Sequence, residues 1–149
     1  MMENQDKKQT EEALAEIYRN AQLALQSISD ILPQVEQFEL KNELKAQHEE
    51  YERFSAKASM IAKDKGIELK EPNPFKKAMM WGSIKMSSMA NNSPSHIADM
   101  MVQGTVMGIT ALRTTAGELS ENGDKEIMDL IKEMIDKEEE FEKRWKACL

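Results

Sequence analysis

Cysteine, glycine, proline and aromatic side chains are all scarce in this sequence. The single cysteine, Cys148, excludes an internal disulfide framework or a thiolate metal cluster within one chain and indicates a reducing cytoplasm. Aromatic residues make up only 5% of the 149 residues, so the core is expected to consist of aliphatic side chains and methionine, of which there are twelve. Six glycines and four prolines leave long uninterrupted segments, which favours helices.

Long apolar runs and an excess of positive charge are also missing. No run approaches the roughly 20 apolar residues that a membrane-spanning helix needs, and residues 1–12 lack the apolar stretch of a signal peptide. The chain carries 27 acidic and 20 basic residues, a net charge of −7, which disfavours binding to nucleic-acid phosphates. We therefore expect a cytoplasmic protein with neither a membrane span nor a nucleic-acid partner.

Apolar residues recur at spacings of three and four, which predicts an all-α fold in a single domain, residues 1–149. Thr10 is the expected N-cap of the first helix after a frayed tail at 1–9, and Pro33 is expected in the first turn of the second helix. Ser93 and Pro94 have the same two roles in the third. The four main helices are predicted at 10–32, 34–65, 94–118 and 124–147.

A long connection separates two tight helix pairs. Short joints within each pair imply antiparallel neighbours, whereas residues 66–93 provide enough chain to travel back along the bundle. We expect this crossover to carry a short fifth helix at about 75–90. One long crossover is typical of ferritin-like four-helix bundles rather than of up-down bundles with three short loops.

Two segments carry a resemblance to a known group of proteins. These are Lys77-Ala-Met-Met-Trp-Gly-Ser-Ile-Lys-Met86 and the run from Ser93-Pro-Ser-His to Met-Gly-Ile109. They resemble small uncharacterised helical proteins of anaerobic, spore-forming bacteria, which are similar to the ferritin-like superfamily. The resemblance extends over about 11–145. It implies the fold, and it implies no activity, because that group has none assigned.

A ferritin-like di-iron site needs a glutamate from each of two helices and a Glu-x-x-His pair from each of the other two. The chain has two histidines, and the residues three positions before them are Lys45, before His48, and Ser93, before His96. Neither histidine completes the pair. We therefore expect no di-iron site, no cofactor and no enzymatic activity. His96-x-x-Asp99 is either a pair of ligands or a solvated pair of side chains.

Five polar residues lie on or beside otherwise apolar helix faces. A carboxylate in such a position has to be neutralised, hydrogen-bonded to Tyr or Gln, or paired with His48 or a lysine. One hypothesis is a structural polar layer that fixes the helix register, and the other is a ligand or mononuclear metal pocket. A metal-dependent redox or storage function near Glu138 and His48 is the corresponding alternative function. The five candidates are Tyr18, Gln47, His48, Tyr51 and Glu138.

Small and sulfur-containing residues are concentrated in the centre of the chain. Gly104-x-x-x-Gly108 favours close helix packing inside a bundle over dimerisation within a membrane, because Gln103 and Arg113 interrupt the apolar surface. Seven of the twelve methionines lie between residues 79 and 107. Thioethers can bind cuprous ions. No His or Cys is interleaved at ligand spacing, which favours methionine as a core filler.

The predicted short helix has apolar residues on two faces, so docking on the bundle leaves Met80, Trp81 and Ile84 outside. Residues 66–117 carry five basic and three acidic side chains, whereas the rest of the chain is strongly acidic. An exposed apolar patch of this kind favours association. We expect a non-enzymatic structural or interaction module that forms a homodimer. The first alternative to the homodimer is a complex with a helical protein partner. The second alternative is that the segment forms a helix on a membrane surface.

Overall fold

The computed structural model describes residues 2–70, 93–119 and 123–149, with side chains from residue 7 onward. These residues form four α-helices and no strand, which confirms the all-α prediction for the described part of the chain. A 3-10 turn at Leu32–Gln34 follows the first helix. The predicted fifth helix lies outside the described residues. The helices are α1 (Met2–Ile31), α2 (Phe38–Asp64), α3 (Pro94–Glu118) and α4 (Lys125–Lys146).

Local signals set three of the helix ends. Ser93 caps α3 because its Oγ accepts a hydrogen bond from the His96 N–H, and Pro94 occupies the first turn, as expected. Asp124 caps α4, where its Oδ1 accepts from the backbone N–H groups of Glu126 and Ile127. After α2, Gly66 adopts φ +68°, which an L side chain rarely tolerates, and the chain leaves the helix.

The beginning of α1 and the joint after it differ from the prediction. The helix begins at Met2 and runs through Thr10, which is therefore not an N-cap, because no glycine or proline precedes Thr10 to interrupt it. Pro33 lies in the 3-10 turn rather than in α2. Val35 is extended and only 2% exposed, so burying this side chain delays the second helix until Phe38.

The predicted buried faces are confirmed most fully in α2 and α4. The spacing predicts seven inner residues in α2 and six in α4, and each of them is buried: Leu40, Leu44, Gln47, Tyr51, Phe54, Ala58 and Ile61 in α2, and Ile127, Ile131, Met134, Glu138, Phe141 and Trp145 in α4. In α1 the spacing predicts a stripe of six residues, of which five are buried, Leu14, Ile17, Ala21, Ile28 and Ile31, and one, Ala24, is half-buried. The three largest fully buried side chains are Trp145, Phe54 and Phe141, so the few aromatic residues contribute to the core.

Contacts between the helices fix their directions. Along α2 and α4, Glu43 pairs with Arg144 near one end (3.2 Å) and Lys65 pairs with Asp124 at the other (2.5 Å), so these helices are antiparallel. A groove between α1 and α3 is lined by Gln9 and Glu12 near the start of α1 and by Leu119 after α3, which makes this pair antiparallel too.

Helices α2 and α3 run in the same direction, because both end near the start of α4. Lys65 lies beside Asp124, which immediately precedes α4, and α4 begins where α3 ends. The end of α2 and the start of α3 are therefore at opposite ends of the bundle, and the intervening chain has to connect them. Among the described residues, no helix has both the length and the apolar character that crossing a membrane requires.

Candidate functional site

Three of the five predicted polar residues are buried. Gln47 and Tyr51 of α2 and Glu138 of α4 are between 0% and 3% exposed. Tyr18 is half-buried and lines an open groove together with Ile67 and other residues at the end of α2 and just after it. His48 is also half-buried, and its Nδ1 lies 2.6 Å from Oε1 of Glu52, one turn further along α2. The five candidates therefore occupy different environments rather than one pocket.

Glu138 lies in a polar layer to which every helix contributes one residue. The side chains of Asn20 from α1 and Tyr51 from α2 hydrogen-bond the Glu138 carboxyl. The Asn20 Nδ2 also donates to the backbone carbonyl oxygen of Gly108 in α3, at 3.0 Å. We call these four residues, Asn20, Tyr51, Gly108 and Glu138, the carboxyl layer. Their contacts join the four helices at one level of the bundle.

Gly108 makes room for the carboxyl. A Cβ atom at this position would lie 2.5 Å from Oε2 of Glu138 and 2.9 Å from Oδ1 of Asn20, which is closer than non-bonded atoms can approach. The absence of a side chain therefore allows α3 to pack against both polar groups. Gly104, the other glycine of the predicted pair, is exposed, and a Cβ there meets nothing within 4 Å. The close packing predicted for the pair occurs only at Gly108.

Burial sets the protonation state of the carboxyl. Removal from water raises the pKa of Glu138 from 4.5 to about 8, and the hydrogen bonds from Tyr51 and Asn20 only partly oppose this effect. Within the described structure, Oε1 is buried and has no hydrogen-bond partner, which also favours the uncharged form. The carboxyl layer is therefore neutral at pH 7. Burial and the neighbouring Glu138 also raise the pKa of Tyr51.

A second polar connection leads from the core to the surface. The indole N–H of Trp145, which is fully buried, donates to Oε1 of Gln47 at 3.0 Å. The Gln47 amide in turn donates to Oε1 of Glu43 at 2.9 Å, and the Arg144 guanidinium donates to the same oxygen at 3.2 Å. Gln47 therefore satisfies the buried indole rather than Glu138.

The chemistry available at the carboxyl layer is that of one neutral carboxylic acid among neutral partners. Such a group can donate or accept a hydrogen bond and can bind or release a proton. Among the described residues, no three His, Cys, Asp or Glu side chains are grouped so that they could bind a metal ion. The predicted interface residues Met80, Trp81 and Ile84 lie outside the described residues.

Comparisons with protein-family models, with curated proteins and with solved structures found no match to this chain.

The outer side of α3 is a feature that the sequence reasoning missed. Residues 100–112 include no charged residue, although the exposed side chains of α4 are mostly charged. A line of exposed residues follows α3 at alternating spacings of four and three, which we call the outer row. Val106 at its centre is 39% exposed, and Met107 beside it is 57% exposed. The outer row comprises Asp99, Gln103, Val106, Thr110, Arg113 and Gly117.

Sequence reasoning also missed Asn20 and the particular role of Gly108. Asn20 occurs one position before the predicted core residue Ala21, and nothing in its own helix marks it as a partner of Glu138. One signal was present: Asn20 is adjacent to the apolar stripe of α1, and a buried carboxyl elsewhere in the chain requires donors. Only the relative rotation of α1 and α4 in the folded chain brings Asn20 next to Glu138.

Proposed function

We propose that the protein is a non-enzymatic, ferritin-like helical bundle of the cytoplasm that acts as a self-associating structural or interaction module. The single observation that carries this proposal is the stretch of α3 without charged residues, 100–112, on which Val106 and Met107 are exposed. Depletion of charge together with exposed methionine is typical of the centre of a protein interface. The single cysteine supports the cytoplasmic location.

The ferritin-like connectivity is part of this proposal. It is supported by the parallel directions of α2 and α3, which require the connection of residues 65–93 to run from one end of the bundle to the other. In this interpretation the carboxyl layer has a structural role. It joins the four helices through the hydrogen bonds among Asn20, Tyr51, Gly108 and Glu138, and in this role it fixes the register of the helices.

The distribution of charge favours a second copy of the chain as the partner. The chain has a net charge of −7, so two copies repel each other over most of their surfaces. Residues 66–117, with five basic and three acidic side chains, are the region where this repulsion is absent. The uncharged stretch of α3, residues 100–112, lies within that region and reduces the electrostatic cost of association.

The size of this surface indicates weak association. Thirteen helical residues, 100–112, extend over about 20 Å, and a helix is about 10 Å wide. That contact is smaller than the roughly 800 Å² per partner of a standard interface, so we expect weak association that depends on the protein concentration. The predicted patch of Met80, Trp81 and Ile84 would add to the area.

Light scattering after size exclusion, over a series of protein concentrations, tests the proposal. The native chain should pass from monomer to dimer, and Val106→Glu should shift the transition to at least tenfold higher concentration. Met60→Glu is the matched control, because Met60 is an exposed apolar residue of α2, 66% exposed, outside the proposed surface. The double variant Met80→Lys, Trp81→Glu tests the second patch. A native chain that stays monomeric at every concentration refutes self-association.

The metal-dependent alternative requires Glu138 and His48 to act at one site. The contacts of these two residues do not favour it, since Glu138 hydrogen-bonds Asn20 and Tyr51 whereas His48 contacts Glu52. Elemental analysis of protein purified from its native host distinguishes the two functions. Our proposal predicts no stoichiometric transition metal. A metal that is present in the native chain and lost in Glu138→Gln or His48→Ala would favour the alternative.

A further inference from the structure

The outer row of α3 has the spacing of a helix-pairing seam. Its six residues are separated by four, three, four, three and four positions, which keeps them on one side of the helix over five turns. All six are exposed, so this seam faces away from the bundle. Two side chains of the row already have partners within the chain: Asp99 accepts a hydrogen bond from Gln103 at 2.9 Å, and Arg113 pairs with Glu139 of α4.

The charges in this row are arranged symmetrically about Val106. Asp99 lies seven residues before Val106, and Arg113 lies seven residues after it. Seven residues correspond to nearly two helical turns, so the two charges lie on the same side as Val106, each about 10 Å from it along the axis. Between the two charged residues the row contains only uncharged residues, Gln103, Val106 and Thr110.

We propose that two copies of the chain pair through their α3 helices, antiparallel, about a two-fold axis at Val106. This inference rests on the proposed self-association and specifies its geometry. Asp99 and Arg113 are equally far from a two-fold axis at Val106, so Asp99 of one copy lies opposite Arg113 of the partner subunit, and the same pair forms a second time.

The other members of the row suit this arrangement. Gln103 of each copy and Thr110 of the partner subunit lie three and four residues from the axis, within about 1.5 Å of the same level, which places two polar uncharged groups together. Val106 meets the same residue on the axis. Beside the row, Gly104 is exposed and has open space above its Cα, which allows a second helix to approach closely. A parallel pairing would instead place Asp99 opposite Asp99 and Arg113 opposite Arg113, and like charges would repel.

Charge reversal tests the pairing because it predicts which mixtures associate. The Asp99→Arg chain carries arginine at both positions, and the Arg113→Asp chain carries aspartate at both. Each chain alone places like charges opposite each other and should dimerise at least tenfold more weakly than the native chain. An equimolar mixture restores two opposite-charge pairs, so it should dimerise about as tightly as the native chain.

The ion pair between Arg113 and Glu139 has to be removed from every chain in this experiment, so that Arg113→Asp does not also change it. Arg113 also pairs with Glu139 of α4, so every chain, including the reference, should carry Glu139→Gln. Circular dichroism then verifies that each chain retains its helix content. Sedimentation equilibrium of each chain and of the mixture gives the dissociation constants.

The possible results separate this inference from the proposed function. Weak dimers of each reversed chain, together with a mixture that matches the reference, support the antiparallel pairing. Dimers of unchanged strength in all samples overturn the pairing and leave self-association through another surface. A mixture much tighter than the reference indicates parallel helices and also overturns it. A native chain that remains monomeric overturns both the pairing and the proposed function.

Discussion

The neutral carboxyl of Glu138 makes a specific prediction about how stability depends on pH. In the folded chain its pKa is raised to about 8, mainly because the group is buried, whereas in the unfolded chain it ionises near the ordinary value of 4.5. Between these two values the folded chain holds one more proton than the unfolded chain. The free energy of unfolding therefore falls as the pH rises through this interval.

The size of the effect follows from the same two values. The loss is about 1.4 kcal/mol for each pH unit, so it reaches about 5 kcal/mol between pH 4.5 and about 8. Glu138→Gln removes the ionisable group and keeps a hydrogen-bonding side chain of similar shape. At pH 7 the variant avoids about 3 kcal/mol of that loss and gives up about 1 kcal/mol of hydrogen bonding, so it should be about 2 kcal/mol more stable than the native chain.

Urea unfolding followed by circular dichroism, at fixed protein concentration and at several values between pH 5.5 and 8, measures this dependence. The native chain should lose stability over the range, whereas Glu138→Gln should be nearly flat. Asp136→Asn is the matched control, because it removes an exposed carboxylate from the same helix. A native chain whose stability does not fall with pH, or a Glu138→Gln chain with the native slope, would refute the buried neutral carboxyl.

The pKa shift of Asp124 does not affect this measurement. The hydrogen bond from Lys65 lowers the pKa of Asp124 below its usual value. A lowered pKa contributes stability that is present above the unfolded value and is lost only as the pH falls through the folded one. That contribution therefore changes in more acidic solution than the range from pH 5.5 to 8, and its sign is opposite to that of Glu138.

Three further predictions concern single packing and capping contacts. Gly108→Ala should destabilise the chain by about 1–3 kcal/mol, because the added Cβ would lie 2.5 Å from the Glu138 carboxyl. Gly104→Ala should stabilise α3 by up to about 1 kcal/mol, because the space around Gly104 is open. Thermal unfolding of the two variants compares these effects. Gln47→Leu leaves the buried Trp145 indole N–H without its acceptor and should cost about 1–3 kcal/mol in urea unfolding. Asp124→Ala removes the N-cap of α4 and should cost about 1–2 kcal/mol, and Asp124→Ser should recover most of this loss; equal melting temperatures for the two variants would contradict the capping role.

The buried faces of the helices were predictable because helical periodicity is a local property. Residues at spacings of three and four lie on one side of a helix whatever it packs against, so Leu44, Phe54 and Ile131 could be assigned to the core. The caps at Ser93 and Asp124 and the end of α2 at Gly66 depend on similarly short-range signals. The joint after α1 was predicted less well, because the burial of Val35 is a tertiary contact.

Part of the candidate site was also predictable. Gln47 and Glu138 lie near the middle of their apolar stripes and Tyr51 lies close by, so all three could be identified as candidate buried polar groups, and Tyr was one of the partners expected for Glu138. Tyr18 could not be distinguished from Tyr51 by helical phase, because both lie close to the middle of their stripes, whereas His48 lies at the edge of its stripe. Their half-buried positions depend on how closely the neighbouring helices pack.

The sequence by itself determined that the chain is helical, which sides of its helices are apolar, and that one carboxyl had to be buried among them. These properties depend on residues close together in the chain. The tertiary structure decided which groups meet that carboxyl, that Asn20 and Gly108 from two other helices are among them, and that Val106 and Met107 in the uncharged stretch of α3 stay exposed. These properties depend on the rotation and separation of helices that are distant in sequence, which no local pattern encodes.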